Sequence, residues 1–175
     1  MAAADTAALP QPGFRIFRAR DAKDLMEAEC MTSEPVSDVI AEGARKASEA
    51  GMLDGAETRV VVDLPGFSLL NVWFKTGYPL PLHSHDADCL YYIVAGSIRL
   101  GTEDLGAGDS FFVPADVPYT YRPGPDGVEL LEIRHDPQFN FVNHAKGAAF
   151  WEKAAAISAA SRAAWQAAKR PGLLR

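Results

Sequence analysis

Two histidines, His83 and His85, stand one residue apart near the middle of the chain, after the stiff segment Pro79–Pro81. In a β-strand, residues i and i+2 point to the same face, so this spacing directs two imidazoles at one point. Neutral imidazole is a common metal ligand, and two from one strand would form part of a metal site. The alternative is a pair of polar residues without a metal, at the open end of a β-barrel. The spacing alone does not distinguish the two interpretations.

Further groups near this pair could complete a site. Cys89 could bind metal as a thiolate, which would favour zinc or iron, or it could be a small buried apolar residue. Glu132 has the parity of Val128 and Leu130, so its carboxylate could point inward; a solvated charge at the strand end is the alternative. The remaining candidates are more simply explained as surface, strand-end or structural residues: Asp86, Asp88, His135 and His144.

Aromatic side chains are frequent around the histidines. Tyr91 has the parity of Cys89 and is expected to face the interior. We predict that Tyr91 and Trp73 contact a substrate, because a ring-lined barrel with one polar spot suits a small, partly apolar organic molecule. Ordinary core packing would explain most of these rings as well.

Two stretches of the sequence resemble the two motifs of the cupin superfamily. GYPLPLHSHDADCLYYIVAG matches the first motif at Gly77, His83, His85 and Gly96. GDSFFVPADVPYTY matches the second motif at Gly108 and Pro114. The resemblance spans roughly a quarter of the chain. It implies an all-β fold, the cupin double-stranded β-helix, which is a jelly-roll barrel of antiparallel strands.

The ligand positions of the family are only half matched. Its glutamate falls on Cys89 and its third histidine on Tyr119, so only His83 and His85 carry over unchanged. The resemblance implies a divalent transition metal, iron or zinc, at His83, His85 and Cys89, unless the metal has been lost. Tyr119 and Glu132 are then the candidate catalytic residues, for positioning substrate or transferring a proton. A hydrogen-bonded tyrosine that only lines the barrel is the alternative for Tyr119.

Two functions from different classes follow from the resemblance. Small cupins are often iron dioxygenases, isomerases or lyases that act on small oxygenated or aromatic compounds, which favours a metal-dependent enzyme. The alternative is a non-catalytic cupin that binds a small organic ligand without metal, and the two missing ligands support it. The barrel itself does not select a reaction.

The elements that must position these residues follow from the periodicity. Residues 1–56 are predicted to form an N-terminal arm and helices, residues 57–135 the barrel, and residues 136–175 a C-terminal extension and helix of the same domain. The barrel segment carries short strands separated by frequent turns, which is typical of antiparallel all-β folds.

The predicted helices flank the barrel at Asp21–Gly51 and Gly147–Arg170. Within the first, Ala22–Glu29 is a candidate short helix, and Ser33 is a candidate N-cap of a second helix that stops at Gly51. The alanine-rich second segment should pack through one stripe of residues at helical spacing. That stripe consists of Phe150, Ala154, Ile157, Ser161 and Trp165.

Composition narrows the classes of partner. The chain has 175 residues and a formal charge of −6, so it lacks the basic surface that nucleic acid requires. No apolar run approaches the ~20 residues of a membrane helix, and the start lacks a signal-peptide pattern. We therefore expect a cytoplasmic protein with a small-molecule partner and neither a nucleic-acid nor a membrane partner. A homodimer is expected, because the flanking helices and the apolar run Val60–Val62 need further burial.

Overall fold

The computed structural model describes residues 13–171. Within this range the strands are β1 (Lys23–Asp24), β2 (Met31–Ser33), β3 (Ala56–Leu64), β4 (Phe67–Phe74), β5 (His83–Ser84), β6 (Cys89–Leu100), β7 (Glu103–Gly106), β8 (Ser110–Val113), β9 (Arg122–Arg134) and β10 (Phe139–Asn143). The α-helices of this range are α1 (Leu25–Ala28), α2 (Asp38–Glu49) and α3 (Ala148–Ala167). Short 3-10 helices cover Ala19–Asp21 and Met52–Gly55.

The strands form two sheets that share one hydrophobic core. The larger sheet has the order β1-β3-β4-β9-β6-β7, with β8 also paired to β6, and its pairs are antiparallel. The smaller sheet has the order β2-β10-β5, in which β10 runs antiparallel to β5 and parallel to β2. Residues of both sheets meet in the core, among them Leu130 and Tyr91 from the larger sheet and Phe139 from the smaller. The predicted antiparallel jelly roll with flanking helices is confirmed.

The alternation of β6 separates the inside of the barrel from the outside. Cys89, Tyr91 and Ile93 are buried, whereas Leu90 and Tyr92 between them are each 41% exposed. This is the period-2 pattern of a strand with one face on a core. The strand continues through a left-handed turn position at Gly96, with φ of +76°. A Cβ atom there would clash with the carbonyl oxygen of Gly127, which explains why glycine occupies this motif position.

A second hydrophobic cluster joins α2 and α3 to the barrel. Gly43 of α2 lies directly against the Trp151 side chain of α3, where a Cβ atom would clash. The indole Nε1 of Trp151 donates to the carbonyl of Ala145 at 2.8 Å, and that of Trp165 donates to the carbonyl of Thr76 at 2.9 Å. The long alanine-rich helix is therefore fixed to the molecule by two tryptophans.

The helical segments differ in detail from the prediction. The candidate N-cap Ser33 lies instead in β2, whose pairing with β10 delays the start of α2 to Asp38. Gly51 follows α2 with a φ of +101°, in agreement with the prediction that this helix stops at Gly51. The buried face of α3 is turned relative to the predicted stripe, because Trp151 rather than Phe150 packs over Gly43. That face consists of Trp151, Ala154, Ser158 and Trp165.

The strand region also extends past the predicted limit at residue 135, since β10 ends at Asn143. This strand belongs to the C-terminal extension of the predicted division, but it is part of the jelly roll. No helix in residues 13–171 is both long enough and apolar enough to cross a membrane.

Candidate functional site

The two histidines lie side by side on the inner face of the smaller sheet. His83 begins β5 and pairs with Asn143 of β10, and its backbone exchanges hydrogen bonds of 3.1 and 2.9 Å with that of Tyr119. The ring centroids of His83 and His85 are 5.1 Å apart, and both residues are buried. The i, i+2 spacing thus brings the two imidazoles together, as expected.

Both imidazoles are anchored through the same ring nitrogen. Nδ1 of His83 donates to the carbonyl of Pro81 at 2.8 Å, and Nδ1 of His85 donates to the carbonyl of Asn140 at 2.5 Å. Burial lowers the pKa of His83 to about 4 and also lowers the pKa of His85. Both rings are therefore neutral at pH 7, and in each of them Nε2 is a hydrogen-bond acceptor or potential ligand atom.

Two tyrosine hydroxyls meet beside the histidines. Tyr91 and Tyr119 are joined by a hydrogen bond between their hydroxyl groups. The ring centroid of Tyr119 lies 4.4 Å from that of His83, and the Tyr91 ring stacks on Phe111 at 4.5 Å. Burial raises the pKa of both hydroxyls. Both hydroxyls are therefore protonated. One of the two protons is donated within the Tyr91–Tyr119 hydrogen bond, and the other can be donated to a third group.

Cys89 lies on the same inner strand face, packed in the hydrophobic core. The residue is buried, and burial raises the pKa of its thiol to about 12. Without a metal ion the thiol is therefore protonated, whereas a metal-bound thiol is a thiolate. The alternative of a small buried apolar residue agrees better with its place in the hydrophobic core.

Glu132 points inward, as its parity indicated, and is paired with a residue that the sequence analysis did not single out. Its Oε2 accepts a 2.8 Å hydrogen bond from Nη2 of Arg134, whose side chain has no exposed surface. The guanidinium carbon of Arg134 lies 4.1 Å from the ring centroid of Phe139. Because Arg134 has the parity of Glu132, the alternation of β9 predicts that the two side chains share a face, but it does not predict that Arg134 is buried.

β10 supplies a wall of the site that the motifs did not indicate. Phe141 stacks on His83 with a centroid distance of 5.0 Å, and Phe139 meets the His85 ring edge-on at 5.3 Å. Asn140 exchanges two hydrogen bonds with Asp86, whose backbone amide donates to Asn140 Oδ1 at 2.9 Å and whose Oδ1 accepts from the Asn140 amide at 2.7 Å. Asp86 therefore holds β10 against the histidine segment.

Trp73, predicted to contact a substrate, lies on the other face of the larger sheet. On β4, Leu70 and Val72 face the core. Successive side chains of a strand point to opposite faces, so Trp73 points away from the histidines. Its ring packs against two cations, with Lys75 Nζ at 4.6 Å and the Arg170 guanidinium carbon at 5.5 Å from the centroid. This placement gives Trp73 a role in attaching the segment after α3 rather than in the site.

The other minor candidates take structural positions. His144 lies outside the histidine pair, where its Nε2 and the hydroxyl of Ser84 are 2.8 Å apart. Asp88 accepts a 2.8 Å hydrogen bond from the backbone amide of Ala115, and His135 is exposed. A separate open groove of about 890 Å³ lies beside α3, lined by Tyr78, Tyr121, Phe150 and Lys153 among others, and it contains none of the predicted site residues.

The donor set does not fit the metal centre that the motif resemblance implied. In the part of the chain that the structure describes, no three His, Cys, Asp or Glu side chains form a group that could hold a metal ion. The two imidazoles are accompanied by a thiol packed in the hydrophobic core, a tyrosine hydroxyl bonded to Tyr91 and a carboxylate already paired with Arg134. A buried guanidinium also repels a dication. The predicted site of His83, His85 and Cys89 is thus left with two good ligands.

Comparisons with known proteins give partial matches to solved structures alone. No protein-family model matches the chain, and no curated protein matches it. It is similar to a solved RmlC-like cupin from Shewanella frigidimarina, with 26% identity and a TM-score of 0.42 over 46% of this chain and 76% of that chain. A similar match is KdgF from Halomonas sp., with 23% identity and a TM-score of 0.40 over 46% of this chain and 81% of that chain.

A mutant of oxalate decarboxylase from Bacillus subtilis matches with 25% identity and a TM-score of 0.43, covering 47% of this chain but only 26% of that chain. These matched proteins include cupins, the superfamily that the two sequence motifs resemble. These similarities assign no activity to this chain.

Proposed function

We propose that this cupin-fold chain binds a small hydroxylated organic molecule inside the jelly roll without a resident catalytic metal. The observation that carries the proposal is the state of the two histidines. Both are neutral, both have Nδ1 fixed on a backbone carbonyl, and both therefore offer Nε2 as an acceptor in a buried site. Two adjacent acceptors are complementary to hydroxyl donors on a ligand.

The surroundings support a compact ligand with an apolar part. Phe139 and Phe141 form one wall beside the histidines, and the Tyr91–Phe111 stack forms another. Rings of this kind exclude water and contribute contact area, while a few polar groups orient the bound molecule. The hydroxyl proton that the tyrosine pair does not use adds one donor to the two imidazole acceptors.

A metal-dependent dioxygenase, isomerase or lyase is the second candidate. One observation favours it, because metal-binding histidines also donate their second ring nitrogen to a carbonyl or carboxylate. The missing third ligand and the buried Arg134 weigh against it.

Metal analysis of protein purified without chelators or an affinity tag separates the two candidates. We expect far less than one iron or zinc ion per chain, and no gain after incubation with Fe²⁺ or Zn²⁺ followed by dialysis. One bound ion per chain that disappears in the double variant His83→Ala/His85→Ala would overturn the proposal and establish the metal centre.

The hydroxyl recognition has its own test with a neutral probe. In ¹⁵N-labelled protein, catechol should shift the Nε2 resonances of His83 and His85, whereas toluene, which has a similar ring and no hydroxyl, should not. His83→Leu should weaken catechol binding by about tenfold, because it removes one acceptor of a buried hydrogen bond. The matched control His135→Leu alters an exposed histidine and should bind catechol like the wild type. Equal responses to catechol and toluene would contradict the proposal.

A further inference from the structure

Building on this proposed function, we propose that the ligand is a small hydroxycarboxylic acid and that Arg134 binds its carboxylate. The proposal joins two sets of groups on the inside of the jelly roll. The histidines offer acceptors for hydroxyl groups, and the guanidinium offers donors for a carboxylate.

Arg134 is a buried cation with hydrogen-bonding capacity to spare. Its side chain is fully buried, and Glu132 accepts a hydrogen bond from Nη2 alone. Among residues 13–171, neither Nε nor Nη1 has a hydrogen-bond partner. Leaving buried donors of a charged group unpaired is costly, so these two atoms mark a place where an acceptor is missing. A carboxylate provides strong, charge-assisted acceptors for a guanidinium.

The Arg134 guanidinium and the His85 imidazole both lie against the ring of Phe139. Phe139 lies against the Arg134 guanidinium at 4.1 Å and against the His85 imidazole at 5.3 Å, measured to its ring centroid. On the other side, Glu132 is in register with Tyr91, whose hydroxyl reaches Tyr119 beside His83. The donors of Arg134 and the acceptors of the histidines therefore lie on the same inner side of the jelly roll.

Hydrogen-bonding capacity and charge together favour a single carboxylate. A neutral ligand without an acceptor for Arg134 would leave the guanidinium with only its Glu132 contact. Beside the Arg134–Glu132 pair, a monoanion leaves one net negative charge, whereas a dianion such as phosphate leaves two. A monoanion that also carries hydroxyl groups satisfies Arg134 and the histidine acceptors together.

Isothermal titration with matched probes tests the inference. The probes are glycolate with its amide glycolamide and its dehydroxylated analogue acetate, and mandelate with mandelamide for a larger, aromatic ligand. We expect at least one acid to bind about tenfold or more tightly than its own amide, because the charged hydrogen bonds to Arg134 are lost in the amide. Glycolate should also bind more tightly than acetate, which lacks the hydroxyl group.

The main variant is a double substitution, chosen so that neither Arg134 nor Glu132 is left as a buried charge without its partner. Arg134→Met alone would leave the Glu132 carboxylate buried without its cation, so the test uses Arg134→Met/Glu132→Gln, which removes both charges. In this double variant the preference for acid over amide should disappear while catechol still binds. Glu132→Gln alone keeps Arg134 and should bind the acids more tightly, because the competing carboxylate is gone.

The outcomes separate this inference from the function on which it rests. If catechol binds but every acid binds no better than its amide, the carboxylate assignment is wrong and the hydroxyl recognition stands. The same conclusion follows if the acid preference survives in the double variant. If neither catechol nor any acid binds, both proposals fail.

Discussion

The burial of His83 as a neutral imidazole makes folding stability depend on pH. Its pKa falls from 6.5 to about 4 on burial. Between these values the unfolded chain takes up a proton that the folded chain does not, so stability that is complete above pH 6.5 is lost as pH falls towards 4. The loss amounts to about 1.4 kcal/mol per pH unit for one such group.

Urea denaturation at pH 7, 5.5 and 4.5 measures this dependence. We expect the free energy of unfolding of the wild type to fall over this range, and to fall less steeply in His83→Gln, whatever the stability of that variant at pH 7. His135→Gln serves as the control, since an exposed histidine should leave the wild-type slope unchanged. Parallel slopes for wild type and His83→Gln would show that the buried imidazole is not the cause.

The hydrogen bond between Tyr91 and Tyr119 predicts strong coupling of two substitutions. Tyr119→Phe removes one hydroxyl and leaves the other buried without its partner, at a cost of about 1–3 kcal/mol. Tyr91→Phe should act similarly. The double variant should cost less than the sum, by an amount on the order of 1 kcal/mol, when unfolding free energies are compared in a double-mutant cycle. Strictly additive costs would mean that the two hydroxyls do not depend on each other.

At the scale of elements, Gly43 sets how closely α2 and α3 approach. Alanine is the better helix former by about 1 kcal/mol, so Gly43→Ala would stabilise an isolated helix. In this molecule the added methyl group meets the Trp151 ring. We therefore expect a net loss of about 1–3 kcal/mol, measured by thermal or urea denaturation.

A control for this substitution is Gly106→Ala, where the added methyl group meets open space and φ is not positive. It should change the unfolding free energy much less. A stabilised Gly43→Ala variant would show that the two helices separate easily.

The elements also show what the sequence could predict and what it could not. The inward parity of Tyr91 and the pairing of His83 with His85 depend on local alternation, which the pattern contains. β10 could not be predicted as a wall of the site, because its role depends on pairing with β5 far away in the chain. The side of the sheet on which Trp73 lies could not be predicted either, because alternation alone does not show which face of β4 packs on the core.

The burial of Arg134 could not be predicted from the sequence. A charged residue at the end of a strand is usually solvated, and its burial depends on Glu132 and on Phe139 of the following strand. Only the tertiary structure brings these three groups together. The departures from the family's metal ligands at Cys89 and Tyr119, by contrast, are visible in the sequence.

At the scale of the whole molecule, the outer face of the larger sheet exposes a group of large apolar side chains. Leu90, Tyr92 and Phe112 are 41%, 41% and 57% exposed, and Leu90 pairs directly with Phe112 across β6 and β8. Exposed apolar patches of this kind commonly mark interfaces, and two-fold pairing is the commonest closed arrangement. We expect a homodimer through this face.

Light scattering coupled to size exclusion measures this directly. The wild type should have twice the chain mass of 18.9 kDa, and Leu90→Glu/Phe112→Glu should reduce it to one chain mass without unfolding. Val39→Glu, a similar exposed change on α2, is the control and should remain dimeric. A monomeric wild type at micromolar concentrations would contradict the prediction.

The smaller sheet has a consequence for the order of folding. Its central strand β10 must find β2 and β5, and the side chains that join them, Asn140 with Glu34 and with Asp86, are separated by 106 and 54 residues along the chain. Closing such long loops costs chain entropy before any contact compensates for it, and non-local pairings of this kind slow folding. The histidine site is therefore completed only when remote thirds of the chain have met. Recovery of ligand binding during refolding should lag behind recovery of the local β3–β4 hairpin, which makes the site itself a kinetic reporter of finished folding.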